Sequence, residues 1–279
     1  VDLQDLFEEH RGHLRQVAYR VLGSTADAED AVQEAWLRLH RSDVGEIENL
    51  RAWLTTVVSR VALNQLRSRR REQPLDDRLP DPVVTPEEGP AERAELADSV
   101  SLALLVVLDA LEPAERLAFV LHDMFAVPFA EIAPMVDRTP EATRQLASRA
   151  RRRVRGVEPS GTPAQRREVA DAFLAAARTG DVEGLVAVLD PDVVLRVDQG
   201  EGVRTVRGAR EVAAQAAAYR SADQRRIPVL VGGMPGALGV LDGRPVALLA
   251  FTVVGGRVSE VDILGDLERL AELDPALWR

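Results

Sequence analysis

The 279-residue chain contains no cysteine, no lysine and only four histidines. The missing thiols exclude disulfides, thiolate zinc sites and cysteine nucleophiles together, a composition that suits a reducing compartment. No run of eighteen apolar residues occurs, so no membrane-spanning helix is expected, and the opening VDLQDLFEEH is acidic and amphipathic rather than signal-like. These absences point to a cytoplasmic chain with no membrane partner. With lysine absent, all 35 residues of the Lys+Arg count are arginine, a bias in keeping with a GC-rich genome.

What is present suffices for more than one packed core, since 46% of the residues are apolar and the length exceeds that of one typical domain. The formal charge of −10 argues against a uniformly basic nucleic-acid binder. Local potential within about 8–10 Å is what steers a chain onto DNA, however, and distribution therefore outweighs the sum. Arginines concentrate in RSRRR (Arg67 to Arg71) and in SRARRRVR (Ser148 to Arg155). Two basic faces on an acidic body suggest a bipartite nucleic-acid contact.

Residues 1–71 read as all-helical. Leu3, Leu6, Phe7, Leu14, Val17, Ala18, Val21 and Leu22 recur at helical spacing and Gly23 supplies a stop. Ser24 and Thr25 then precede a second helix, with Ala31, Ala35, Trp36 and Leu39 facing inward. A third, from about Leu50 to Arg71, is apolar through Trp53, Leu54, Val57, Val58, Val61 and Leu66 and ends in the first arginine cluster. Residues 72–90 carry five prolines among many carboxylates and read as an extended linker. Helical pattern returns over Ala91 to Leu111, breaks at Glu112-Pro113, and resumes from Ala114 to Phe125.

Pro128 to Val154 spells a helix, a short polar turn and an arginine-rich second helix, the shape of a helix-turn-helix whose second helix enters the major groove. Thr139 caps that helix and Pro140 occupies its first position. Thr143, Ala147, Ala150 and Val154 form its inner face, while the face of Leu146 is open. Glu141, Arg144, Gln145, Ser148, Arg149 and Arg152 stand outside, where they can read base edges and grip phosphates. A basic surface helix is the plain alternative.

Residues 156–163 form a second short linker. From 164 to 279 the pattern changes to two helices followed by β-branched runs, an α+β domain whose hairpin turns fall near Asp242-Gly243 and Gly255-Gly256.

In order and spacing, DAEDAVQEAWLRL, RAWLTTVVSRVALNQLRSRRRE, LEPAERLAFVLHDMF and the helix-turn-helix resemble regions 2 and 4 of the bacterial extracytoplasmic-function (ECF) sigma factors. The 164–279 part resembles the SnoaL-like, cone-shaped α+β fold, an extension that one sigma-factor subgroup carries. Leu79-Pro80-Asp81-Pro82-Val83 is similar to that subgroup's Leu-Pro-Glu-Pro-Val linker motif, without its preceding tryptophan. Its Asp-Gly-Gly-Gly motif is degraded to Asp198-Gln199-Gly200-Glu201-Gly202, and its Asn-Pro-Asp-Lys-Leu motif matches only by chemical class, as Asp266-Leu267-Glu268-Arg269-Leu270.

The resemblance implies a multi-domain chain, with region 2 over 1–71, region 4 over 91–155 and a SnoaL-like domain over 164–279, and partnership with core RNA polymerase and promoter DNA. Asp27, Asp30, Gln33, Glu34 and Leu37 would meet the β′ coiled coil. Asp27, Asp30 and Glu34 fall on adjacent turns, although a solvated face explains any one of them equally well. Asn64, Arg67, Arg69, Arg70 and Arg71 would meet the minus-10 element, with Trp53 assigned to the core. Arg144, Gln145, Ser148, Arg149 and Arg152 would meet the minus-35 element, and the edge of the Leu117 to Phe125 helix would touch the β flap. Leu79, Pro80, Asp81, Pro82, Asp198, Gly200, Gly202, Asp266 and Arg269 are the regulatory candidates.

No catalytic residue, metal or cofactor is expected. His10, His13, His40 and His122 all lie outside the last domain, so an acid/base pair there would rest on carboxylates such as Asp198 or Asp262. A small ligand in that domain remains open. The competing readings are a one-component regulator with a SnoaL-like sensor, which leaves 1–71 unexplained, and a SnoaL-type cyclase or isomerase.

Overall fold

The computed structural model describes residues 3–42, 45, 47–72, 78–87, 100–155, 158–218 and 224–278, except for the side chains of Arg71 and Glu72. The expected helical start over 91–99 and parts of both linkers lie outside the described residues. Contacts divide the chain into two units, Val1–Asp76 with Val107–Arg155, and Asp77–Val106 with Gly156–Arg279.

The first unit is helical. Helix α1 (Leu3–Leu22) buries Phe7, Leu14, Val17, Ala18, Val21 and Leu22. Ser24 caps α2 (Thr25–His40) by accepting from the Asp27 amide at 3.3 Å, and Ala28, Ala31, Val32, Ala35 and Leu39 face inward. Trp36 is half-buried against Phe7, with ring centroids 5.1 Å apart. Helix α3 (Leu50–Glu72) buries Leu54, Val58 and Val61, but Trp53, Val57 and Leu66 stay half-buried. Thr55, Ser59, Ala62 and Leu63 are buried as well, so the inner face is shifted from the expected apolar positions, and Trp53 is not a fully buried core residue.

Helix α4 (Leu102–Asp109) precedes α5 (Pro113–Phe119), which opens on a proline where a missing N–H is harmless and runs into a π-helical turn at Val120–Met124. The Phe125 ring meets His13 of α1 edge-on at 5.4 Å and carries the Arg20 guanidinium 4.8 Å from its centroid. The short helix α6 (Phe129–Ile132) and α7 (Pro140–Val154) follow, with Asp137 between them at φ +56°. Thr139 accepts from the Ala142 amide at 3.2 Å, as a cap should. Thr143, Ala147, Ala150 and Val154 are buried, and so is Leu146.

In the second unit a seven-stranded sheet runs in the order β1-β4-β5-β6-β7-β2-β3. The strands are β1 (Val84–Pro86), β2 (Leu189–Asp198), β3 (Val203–Arg207), β4 (Arg225–Val231), β5 (Met234–Leu241), β6 (Arg244–Val254) and β7 (Arg257–Leu264). Only the β2·β7 pair is parallel. The β5–β6 and β6–β7 turns fall at Asp242-Gly243 and Gly255-Gly256, all four residues at positive φ, as two-residue hairpins require. One face packs on α8 (Pro163–Thr179), α9 (Val182–Val188) and α10 (Ala209–Ala218), through Phe173, Leu185, Val212 and Phe251. This is the α+β cone architecture that the resemblance implied.

The opposite face packs on Leu79, Leu102, Leu270 of α11 (Leu267–Ala271) and Leu277. Part of the segment expected as an extended linker is therefore structural: residues 84–86 pair antiparallel with β4, and Leu79 is buried. Apolar residues interleaved with the prolines account for this, because an edge strand tolerates proline while its side chains pack.

Arg116 of α5 is fully buried and donates to Asp109 at 2.5 Å, while its Nε and Nη2 have no hydrogen-bond partner among the described residues. Burial presses its pKa below the usual arginine value. A buried guanidinium with unmet donors makes a small net contribution as a pair and is costly once unpaired. Arg116→Met should leave the thermal unfolding midpoint unchanged or raise it, whereas Asp109→Ala, which strands the cation, should destabilise by about 2 kcal/mol.

Candidate functional site

Arg144, Gln145, Arg149 and Arg152 of α7 are exposed and Ser148 is half-buried, at the spacing that places all five on the outer face. Acids behind the helix aim several of its arginines. The nearly buried Glu115 of α5 accepts from Arg149 Nε at 2.6 Å and lies 3.7 Å from Arg153, while Asp123 accepts from Arg151 at 2.5 Å. Arg144 lies over the Phe129 ring, 5.6 Å from its centroid. Among the described residues, Arg152 makes one long contact, 3.5 Å, to the Ser148 hydroxyl. The face thus offers arginine and amide donors in a fixed array, which suits backbone phosphates and purine edges.

On α3, Asn64 is exposed and Arg67 half-buried. Arg69 pairs with Asp27 of α2, and Arg70 pairs with Glu112 just before α5. The Arg71 side chain lies outside the described residues. The expected acidic stripe on α2 divides accordingly. Asp27 is engaged by Arg69 and Glu34 by Arg38 at 2.9 Å, whereas Asp30, Gln33 and Leu37, at i, i+3 and i+7, form an exposed stripe. Leu37 is 39% exposed, a large apolar side chain presented to solvent.

The regulatory candidates gather around one carboxylate. Asp198, at the end of β2, is fully buried. Its Oδ2 accepts from the Leu79 amide at 2.9 Å and from Arg269 Nη1 at 2.8 Å, and its Oδ1 accepts from the Gly200 amide at 3.0 Å. Arg269 also donates from Nη2 to the Leu79 carbonyl at 2.8 Å and to Asp81 at 3.0 Å. Asp266 caps α11 through the amides of Glu268 and Arg269, which fixes where Arg269 starts. Gly200, at φ +92°, leaves room for Asp266, since a Cβ there would lie 3.2 Å from Asp266 Oδ2. Pro80 is buried beside Leu79 and Pro82 is half-buried. Gly202, also at positive φ, shapes the β2–β3 turn.

Known proteins match both parts of this arrangement. The Sigma-70 region 2 family matches residues 6–72 and the Sigma-70, region 4 family matches residues 101–154. Across 271 residues the chain is 38% identical to the probable ECF RNA polymerase sigma factor SigI of Mycobacterium tuberculosis, covering 91% of this chain and 90% of that protein. It is 46% identical over 217 residues to the ECF RNA polymerase sigma factor SigJ of the same organism, covering 74% and 69% respectively. The chain belongs to the ECF sigma factors. The crystal structure of M. tuberculosis SigJ superposes with a TM-score of 0.73 at 35% identity, over 97% of this chain and 98% of that one.

For this ECF sigma factor, region 2 corresponds to α1 through α3, and region 4 to α4 through α7. Sequence reasoning missed Glu115, the acid that orients Arg149 and Arg153. A glutamate in the first turn of a helix is ordinarily read as dipole complementation, and its burial depends on packing against α7. It also missed which atoms meet around Asp198, since a backbone amide at Leu79 leaves no signature in side-chain identity.

Neither carboxylate considered for acid/base chemistry faces the helix side of the sheet. Asp198 holds Leu79, and Asp262 lies between Val261 and Ile263 of β7 with its side chain turned the other way, accepting from Arg196 at 2.9 Å. Among the described residues no cluster of His, Asp and Glu has the geometry of a metal site, and no helix is long and apolar enough to cross a membrane.

Burial raises the Asp262 pKa to about 6, with Arg196 opposing and Glu260 reinforcing the shift. Between pH 4 and 6 the folded chain therefore keeps a proton that the unfolded chain releases, so this group's contribution to stability falls as pH rises through that window. Unfolding midpoints of the native chain relative to Asp262→Asn should decline from pH 4 to 6 and level off above it. A flat difference would mean that Asp262 is ionised throughout.

Proposed function

We propose that this ECF sigma factor binds core RNA polymerase in the cytoplasm and directs initiation at promoters read by two separate surfaces. The observation that carries the reading is that likeness to ECF sigma factors spans nearly the whole chain, while α7 presents an outward array of arginine and amide donors. Arg144, Gln145, Ser148, Arg149 and Arg152 take the minus-35 element, where one bidentate base contact discriminates by roughly 1–3 kcal/mol. Asn64, Arg67, Arg69, Arg70 and Arg71 take the minus-10 element, largely through phosphates. Asp30, Gln33 and Leu37 form the polymerase-facing stripe, flanked by Glu34 and joined by Asp27 when its partner Arg69 turns to DNA. The flap is met by the edge of α5.

The last domain acts in this reading as a regulator in cis rather than as an enzyme. Holding residues 78–87 on its sheet removes slack from the connection between α3 and α4, which limits how far regions 2 and 4 separate. Tethering keeps the domain at an effective concentration of about millimolar, so the Asp198–Arg269 cluster need not be strong in isolation to hold the segment.

Purified chain added to core polymerase should start RNA synthesis at a matched promoter and not at one with an altered minus-35 box. Arg144→Ala should lower that output about tenfold or more, in line with one lost base contact. Arg269→Ala should raise it by releasing Leu79 and Asp81. No synthesis at any matched promoter defeats the sigma-factor assignment, whereas unchanged output from R269A removes only the regulatory role.

A further inference from the structure

Between α8, α10 and the helix side of β2, β6 and β7 lies a cavity of about 320 Å³ that the promoter-reading surfaces do not use. Its volume is at the small end of the roughly 300–1,000 Å³ usual for ligand pockets. Phe173, Leu195, Leu249 and Val261 make apolar walls, and among the described residues the polar side chains of the lining are Gln199, Gln215, Gln224 and Arg226, with no aspartate, glutamate or histidine.

The polar groups present donors. Gln215, in the amide orientation that satisfies its neighbours, accepts from Arg204 at 2.8 and 3.0 Å through its oxygen, which leaves its NH2 as the donating end. Gln224 lies over Gly239, where a Cβ would come within 2.1 Å of its Nε2, so the bare glycine makes its place. Arg226 of β4 is half-buried and makes one long contact, 3.5 Å, to the Leu174 carbonyl, with no ion pair among the described residues. Burial, and then the like charge of Arg178, press its pKa below the usual arginine value. A partly desolvated guanidinium beside amide donors and without a carboxylate is complementary to an anion, and carboxylate suits its planar fork.

From the cavity's lining we infer that the cone binds a small molecule with an apolar body and one carboxylate, seated by Arg226 and the glutamine amides, and binds it without chemical conversion. Its position also suits a signal. Gln199 and Gly265 line the cavity, Gln199 follows Asp198 directly, and the Gly265 amide donates to the Asp198 carbonyl at 2.7 Å. A ligand against this turn stiffens the mount of the carboxylate that holds Leu79. This second step rests on the regulatory reading above; binding itself does not.

The test is isothermal titration of the full chain with octanoate, cinnamate and 2-naphthoate, each paired with its methyl ester. At least one acid should bind saturably at one site, tenfold or more tighter than its ester. Arg226→Gln should shrink that preference to threefold or less. Ala247→Trp, which fills the cavity, should abolish binding and decides the matter should R226Q fail to fold. Binding by none of the acids, equal binding of acid and ester, or saturable binding retained in A247W overturns the site. Hydrogen exchange at the Leu79 amide should slow at least fivefold on saturation. Unchanged exchange with proven binding overturns the coupling alone, and an inert R269A in transcription leaves the binding result standing.

Discussion

The buried carboxylate of Asp198 holds the segment around Leu79 onto the sheet of the second unit. A buried carboxyl group is tolerable only when its lone pairs are met, and here two backbone amides and one guanidinium meet them. One of those amides belongs to Leu79, 119 residues earlier in sequence. The same guanidinium takes the Leu79 carbonyl and the Asp81 carboxylate, so the segment is gripped through its backbone on both sides of one residue. Apolar burial of Leu79 and the β1·β4 pairing add area to that grip. Removing Arg269 leaves Asp198 with two amides and no countercharge, and removing Asp198 leaves Arg269 with the Leu79 carbonyl and Asp81.

A comparable economy of charge runs through the helical unit. The arginines that the sigma-factor reading assigns to promoter DNA are not bare cations; Arg69, Arg70 and Arg149 pair with Asp27, Glu112 and Glu115. Such pairs at an exposed surface contribute about 0–1 kcal/mol, so phosphate oxygens can displace them readily. They lower the attraction for arbitrary DNA while leaving donor geometry in place, consistent with a net charge of −10 on a chain proposed to bind promoters. Glu115 differs in being nearly buried, and it therefore orients Arg149 rather than competing for it.

Much of the architecture was legible in the sequence because it is written locally. The α2 and α7 caps, the proline at the start of α5 and the two glycine-bearing hairpin turns each depend on a few adjacent residues, and each stands where expected. Depth of burial was less legible. Apolar spacing on α3 admits Trp53 and Leu54 equally, and only the placement of α1 and α2 decides that Leu54 is the buried one. The strand at Val84–Pro86 was hidden by its prolines, which signal a linker in isolation but are compatible with the sheet edge it joins. The candidate regulatory residues come from three distant segments that the structure brings together. Their common partner emerges only from the sheet register that ends β2 beside α11.

That register has a further consequence for how the cone can serve a transcription factor. Strand alternation puts Val197 on the cavity side and Asp198 on the linker side, and Gln199 turns back to the cavity as the strand ends. The two faces of the sheet are thus joined by consecutive residues rather than by a long path of packed side chains. A turn this short has few internal degrees of freedom. Gln199 and Gly265 both border the cavity, and the Gly265 amide donates to the Asp198 carbonyl at 2.7 Å. The apolar face opposite gathers Leu79, Leu102, Leu270 and Leu277 into one close-packed cluster. In the proposed reading, an acid seated by Arg226 on the cavity side of the sheet would act on the hold of Leu79 through this turn, without any residue of the cone having to touch DNA.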